Sequence, residues 1–240
     1  MKFKVTLSSI ESRKRFIDDT IRSLIAQESD DGFSVDLYLP KQKVRGGQWL
    51  DSDIKKLKEK YTKDPLNIKS VKDIGPLTKF WYALKSQEDI SPVISADDDV
   101  LYPKDWAKNL IRYHEFFPRA LVCHRGRILD ETKKYNRSKL VISSEISKPV
   151  RVDIVTGTHG ALYSRSFIED DFFDIKIEGD LLKNDDLYVS GYLYCKKIPI
   201  YVVPFRGIKA LPHHKINDLW SINHRSNHNN RLIKRYFKNQ

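Results

Sequence analysis

Apolar positions along the chain switch repeatedly between two periods. Phe3 to Leu7 (FKVTL) predicts a short strand, and after SSIESR the residues Phe16, Ile17, Thr20, Ile21, Leu24 and Ile25 recur at helical spacing. Phe33 to Leu39 alternates apolar and polar residues up to Pro40, and Gly46-Gly47 marks a loop. A charged helix with Ile54, Leu57 and Tyr61 on one face follows Asp51, and Leu66 to Val71 predicts a third strand. In DIGPLTKFWYAL, residues 73–84, Gly75-Pro76 opens a helix whose apolar face is Leu77, Phe80, Trp81 and Leu84. A buried strand, Val93 and Ile94, then breaks off at three consecutive carboxylates, and Pro103 begins an amphipathic helix that stops before Pro118. Ala120 to His124 resumes as a strand. Arg125 to Lys148 is basic and weakly periodic, which predicts an excursion outside the core with a mobile KKYNRSK stretch. Val152 to Val155 and Gly160 to Tyr163 flank a Gly-rich turn, a helix follows Asn184, and IPIYVVP predicts a last strand. Strands alternating with helices over 240 residues predict one α/β domain over 1–204 with a basic extension, 205–240, packed on or near the functional site.

Candidate chemistry gathers where strands hand over to loops. Asp97, Asp98 and Asp99 end the central strand, and in continued strand geometry Asp97 and Asp99 project to one side, where two carboxylates grip a hard cation. Oxygen-only ligands favour Mg²⁺ or Mn²⁺. The plainer alternative is a solvated acidic turn in which Asp99 or Asp105 caps the next helix. Ser8, Ser9 and Arg13 follow the first strand, a place suited to nucleotide contacts, although Ser12 serves equally as a helix cap. Lys79 and Thr78 lie on the first turn of their helix, where an ammonium and free amides meet phosphate oxygens; an ordinary solvated lysine fits as well. Gly157 allows a ligand close to the backbone, and Thr156, Thr158 and His159 present polar groups beside it, His159 also suiting a plain loop. Asn184 suits a helix cap and Asp185 and Asp186 suit its first turn, while either acid at the mouth of a sheet also suits a general base. His213-His214 offers an imidazole to the metal from the far end of the chain.

Lys and Arg number 43 against 32 Asp and Glu, a net charge of +11, so anionic partners are favoured: nucleic acid, an anionic membrane surface or a phosphorylated substrate. No nucleic-acid motif accompanies the charge, which weighs against a basic nucleic-acid-binding module. Cys123 and Cys195 form neither metal spacing nor a disulfide framework, and a reducing, cytoplasmic setting is expected. No signal core is apparent and no window approaches ~18 uninterrupted apolar residues, so neither export nor a membrane span is expected. The tail, Arg206 to Lys238 with Trp220, Tyr236 and Phe237, mixes basic and aromatic residues in a way that suits peripheral contact with the inner face of a membrane.

The Ser-rich first turn with Arg13, DIGPLTKF, SADDDVLYP, TGTHGALY and NDDLYVSGYL together resemble the bacterial nucleotide-sugar glycosyltransferases of the GT-A fold, family 2-like, over residues 3 to 204. The resemblance implies a Rossmann-like mixed sheet flanked by helices. It aligns the triplet with the DXD motif, with Asp99 as the acid on the metal–nucleotide diphosphate, Asp97 toward the ribose or base, and Asp98 as the variable middle member. It implies Asp186, with Asp185 second, as the base that deprotonates an acceptor hydroxyl with inversion. The expected partners are a nucleotide-diphosphate sugar and a glycan or lipid-linked acceptor of surface polysaccharide. A sugar-phosphate nucleotidyltransferase, which shares an α/β core and metal but needs no late base, is the competing enzyme class.

Overall fold

A computed structural model describes residues 1–42, 47–86, 91–176, 184–212 and 228–237. Strands β1 (Phe3–Ser8), β2 (Phe33–Pro40), β3 (Leu66–Val71), β4 (Val93–Ser95), β6 (Leu121–Cys123), β9 (Val150–Val152), β11 (Ala161–Tyr163) and β12 (Ile200–Val202) form one sheet in the order β3-β2-β1-β4-β11-β6-β12-β9. β11 runs antiparallel to both β4 and β6, and β9 antiparallel to β12, while the other pairings are parallel. The carboxyl ends of β1, β4, β6 and β12 therefore open on a single edge, where α/β sheets hold their ligands.

Alternation along the strands covers both faces. On one side, Val5, Leu7, Val35, Leu37 and Ile94 meet helices α1 (Ile17–Ile25) and α4 (Trp106–Phe116) through Ile21, Leu24, Trp106 and Leu110. On the other, Tyr38, Val93, Cys123 and Tyr163 meet α3 (Thr78–Lys85) and α5 (Asp185–Cys195) through Phe80, Trp81, Tyr188 and Val189. Helix α2 (Asp51–Lys60) lies between β2 and β3 in sequence, with Ile54 and Leu57 turned to the first of these layers. Because water touches neither face of the central strands, β2 is buried from Val35 through Pro40 despite its polar members. The polar member in its middle is satisfied: Asp36 accepts hydrogen bonds from Asn67 at 2.9 Å, Lys69 at 2.7 Å and Tyr38 at 3.3 Å.

The basic excursion is more ordered than its weak periodicity implies. β7 (Arg125–Ile128) and β8 (Lys139–Ile142) pair with β10 (Ile154–Val155) in a second, three-stranded sheet. Val152 and Ile154 thus belong to different sheets, where the sequence pattern suggested one strand. These strands are two to four residues long, too short to display a period. A third pairing joins β5 (Val100–Leu101), next to the acidic triplet, to β13 (Lys209–Ala210) of the extension.

Helix α6 (His228–Tyr236) packs on α5, where a Cβ at Gly191 would overlap Tyr236 Cβ. Leu232, Ile233 and Phe237 are buried, with Ile154 and Leu187, in a small core of their own. This corrects the expectation that Tyr236 and Phe237 face a membrane, since the apolar side of α6 is consumed by α5. Arg231, Lys234 and Arg235 remain exposed, and Trp220 lies outside the described residues. Among the described residues no helix is long and apolar enough to cross a membrane.

Candidate active site

The acidic triplet sits at the open edge of the sheet and is held by its own chain. Asp97 N–H donates to Tyr102 Oη at 2.9 Å, the Thr20 hydroxyl donates to the Asp98 carbonyl at 3.1 Å, and Leu211 N–H donates to the Asp99 carbonyl at 2.8 Å. β1 ends at Ser8 and passes through Ser9, whose carbonyl accepts from Trp49 Nε1 at 3.0 Å, into a 3₁₀ turn, Glu11–Arg13. That turn delivers Arg13 Nη1 to within 2.5 Å of Asp98 Oδ1 and 3.1 Å of Asp99 Oδ2. Burial alone would lower the Arg13 pKa, but Asp98, Asp99 and Asp97 hold it above the ordinary arginine value. Side-chain exposure falls from 24% at Asp97 to 11% at Asp99 and 5% at Asp98. Asp97 is therefore the most open of the three, and Asp98 is the one most engaged by Arg13.

A second cluster meets the first through Lys79. The first turn of α3 sends Lys79 Nζ inward to 3.3 Å from Asp97 Oδ1 and 3.1 Å from Asp185 Oδ2. Its neighbour Thr78 is committed locally, donating to Asp73 Oδ1 at 3.1 Å and accepting from Ile74 N–H at 3.0 Å. Lys79 is buried, which by itself would favour the neutral amine; Asp185, Asp97 and Asp186 outweigh that and keep it charged well above the usual lysine range. Gly157 makes room for this ammonium, because a Cβ there would lie 2.7 Å from Nζ. Its N–H donates to Asp186 Oδ1 at 2.9 Å. Burial first, then the charges of Asp185 and Asp97, push the Asp186 carboxyl up to about 7, opposed by Lys79 and the Gly157 N–H.

Two supports set the direction of these acids. Asn184 is the N-cap of α5, its side chain accepting from Leu187 N–H at 3.0 Å, and its amide donates to Asn229 Oδ1 of α6 at 2.8 Å. The capping role read from the sequence and the presentation of a carboxylate are thus compatible: Asn184 caps, and Asp185 and Asp186 turn inward. Ser190 donates to the Asp186 carbonyl at 2.6 Å and accepts from Val155 N–H at 3.0 Å, tying α5 to β10. On the facing loop, Trp106 Nε1 donates to the His159 carbonyl at 2.9 Å. Gly160, at φ +102°, closes the turn at a point where a side chain would overlap the Trp106 indole. Burial and Arg125 push the His159 imidazole down, with Asp97 pulling against them.

The structure thus brings together Arg13, Asp98 and Asp99 on one side, and Lys79, Asp97, Asp185, Asp186 and Gly157 on the other. Thr156 Oγ1 is buried without a hydrogen-bond partner, and Ser8 stands at the same edge as the last residue of β1. His213 and His214 lie outside the described residues. Among the described residues no three His, Cys, Asp or Glu side chains are already disposed around a metal position. β4 ends at Ser95 and Asp98 and Asp99 lie in a turn, so the continued strand geometry expected to put Asp97 and Asp99 on one side is not kept, yet the donor chemistry fits a hard divalent ion: both offer only oxygen, and five clustered carboxylates face two paired cations, Arg13 and Lys79. Tyr102, Ser190 and Asn229 went unnoticed in the sequence. Asn229 meets its partner across 45 positions, so no local spacing signals it.

No family model matches the chain, and no curated protein sequence does. Solved structures do. S. aureus TarS 1–349 in complex with UDP-GlcNAc matches with a TM-score of 0.60 at 17% identity, over 89% of this chain and 59% of that one. The same protein in complex with UDP matches with a TM-score of 0.57 at 14% identity, over 99% of this chain and 71% of that one. The chain has the GT-A glycosyltransferase fold, with an eight-stranded mixed sheet between helices. It spans 59% of the length of the first of these structures.

Proposed function

We propose that the protein transfers a sugar from a nucleotide-diphosphate donor to a hydroxyl of a glycan or lipid-linked acceptor, with inversion. The observation that carries this reading is Asp186: a half-buried carboxylate raised to about 7 and aimed by the Gly157 N–H, across Lys79 from the acidic triplet. A base poised near neutral pH removes the acceptor proton as the new glycosidic bond forms. The acceptor oxygen bonds to the anomeric carbon, the bond to the diphosphate breaks, and the proton passes to Asp186. Lys79 pairs with Asp97 and Asp185 and holds them in place. Asp97 and Asp99 are the residues that would hold Mn²⁺ or Mg²⁺, which neutralises charge on the leaving diphosphate when bound.

The metal assignment has a binding readout. Mn²⁺ is expected to add to the thermal stabilisation given by UDP in the parent, and Asp99→Asn is expected to abolish that addition while leaving the unliganded melting temperature within a few degrees. An undiminished Mn²⁺ effect in the variant contradicts the assignment.

A peripheral position on the inner face of an anionic membrane is also part of this reading. It is supported by the exposed Arg231, Lys234 and Arg235 of α6. With the apolar face of α6 buried, the attraction is electrostatic, on the order of 1 kcal/mol per basic residue near the surface. Cosedimentation with vesicles containing phosphatidylserine is therefore expected to disappear at high salt and in the triple Glu variant of these residues. Binding that survives both contradicts it.

A further inference from the structure

A pair of arginines in β7, the strand that pairs with β10 just before the Gly157 turn, has no part in the chemistry described so far. In β7, Gly126 faces the main sheet so closely that a Cβ would lie 2.7 Å from Val152 Cγ2 and 2.8 Å from the Ile154 carbonyl oxygen. By strand alternation its neighbours Arg125 and Arg127 project to the opposite side. There the Arg127 guanidinium lies 4.8 Å from the centre of the Tyr135 ring, and its Nη1 donates to Ser138 Oγ at 3.2 Å. The Nε of Arg125 and of Arg127 are both buried without a hydrogen-bond partner. Among the described residues, Arg13, Arg22 and Arg165 have carboxylate partners, whereas neither of these two does.

The backbone of the pair borders the reacting groups: Thr156 N–H donates to the Arg125 carbonyl at 3.0 Å, one residue before Gly157, whose N–H holds Asp186. Burial, then the Asp186 carboxylate, push the Tyr135 phenol up while Arg127 and Arg125 pull it down. Tyr135 is itself pinned, its N–H donating to Asn230 Oδ1 of α6 at 2.7 Å. Two buried Nε–H donors without partners are costly in a resting protein, and the planar guanidinium fork suits a phosphate oxygen pair.

We infer that Arg125 and Arg127 form a site for a phosphate group carried by the acceptor, so that the acceptor class is a phosphorylated glycan or glycosyl phosphate. The inference rests on the proposed transferase reading, which places the acceptor on the Asp186 side. A phosphate bound between Tyr135 and Asp186 lies beside the hydroxyl to be deprotonated and anchors it there. The same chemistry is present in the diphosphate of the donor, and the test separates the two.

The experiment is calorimetric titration of glucose 6-phosphate, with glucose as its neutral counterpart, into protein saturated with UDP. Glucose 6-phosphate is expected to bind the parent at least about tenfold more tightly than glucose does, as charged hydrogen bonds require. Arg125→Gln and Arg127→Gln are each expected to weaken it by about tenfold or more, with UDP affinity changed less than twofold. Arg127→Lys keeps a cation over Tyr135, so a loss of phosphate binding in that variant too reports the lost fork and not a collapsed loop. Equal binding of glucose 6-phosphate by parent and variants overturns the site. A parallel fall in UDP affinity assigns the arginines to the donor diphosphate and overturns the acceptor assignment. A parent that binds glucose 6-phosphate but no nucleotide contradicts the transferase reading while leaving the arginine site standing.

Discussion

Asp186→Asn is expected to lower sugar transfer by about 10²-fold or more while changing nucleotide affinity less than twofold, because the variant keeps the shape of the side chain and loses only the proposed base. The pH dependence sharpens this. Burial, with Asp185 and Asp97 nearby, raises the Asp186 carboxyl to about 7, and it accepts a proton only when ionised. Parent kcat is therefore expected to climb as pH rises to about 7 and then level, whereas the residual rate of the variant lacks that inflection. Stability moves the opposite way. A folded pKa above the ordinary 3.8 means the fold holds the proton more tightly than the unfolded chain. That contribution is fully present below the unfolded pKa and is lost as pH rises through about 7. Asp186→Asn should accordingly melt higher than the parent at pH 8 and no higher at pH 4. A near-parent transfer rate in Asp186→Asn, with Asp185→Asn inactive, would move the base to Asp185.

The second large effect is structural. Lys79 is the cation between Asp97 and Asp185, buried at their junction. Lys79→Met retains most of the volume but leaves those carboxylates without their shared partner. Breaking a buried ion pair from one side costs about 3–5 kcal/mol. Urea unfolding at pH 7.5 is expected to show a loss of that order, and Lys79→Met combined with Asp185→Asn is expected to recover a substantial part of it. Equal stability of parent and Lys79→Met would mean that Lys79 does not organise the cluster.

How much of this was legible in the sequence depended on the range of the interaction. The long elements were plain: α1 repeats Ile17, Ile21 and Leu24 at helical spacing, β2 alternates, and the break from Ile94 into Asp97 marks the mouth of the sheet. The same range limit hid the second sheet, whose strands are too short for a period. Candidate site residues were visible by type and position, as with Asp186 after a polar loop. Their pairing was not. Arg13 and Lys79 were expected near nucleotide phosphate, and in the structure their nearest charged partners are the carboxylates of the triplet and of α5. The partners lie 85 positions apart for Arg13 and Asp98 and 18 for Lys79 and Asp97, so only the folded topology shows which acid meets which base.

In the proposed reaction the bond between sugar and diphosphate is the one that breaks. The direct measurement is incubation of the full chain with UDP-GlcNAc and a panel of other nucleotide sugars in Mn²⁺, followed by identification of the released phosphate species. The expected result is a nucleoside diphosphate, released slowly by hydrolysis without an acceptor, with at least one donor, and suppressed about 10²-fold or more in Asp186→Asn, because the parent carboxylate also activates the water. Release of pyrophosphate when a nucleoside triphosphate and a sugar phosphate are supplied, with no nucleoside diphosphate from any nucleotide sugar, would contradict it and make the chain a nucleotidyltransferase.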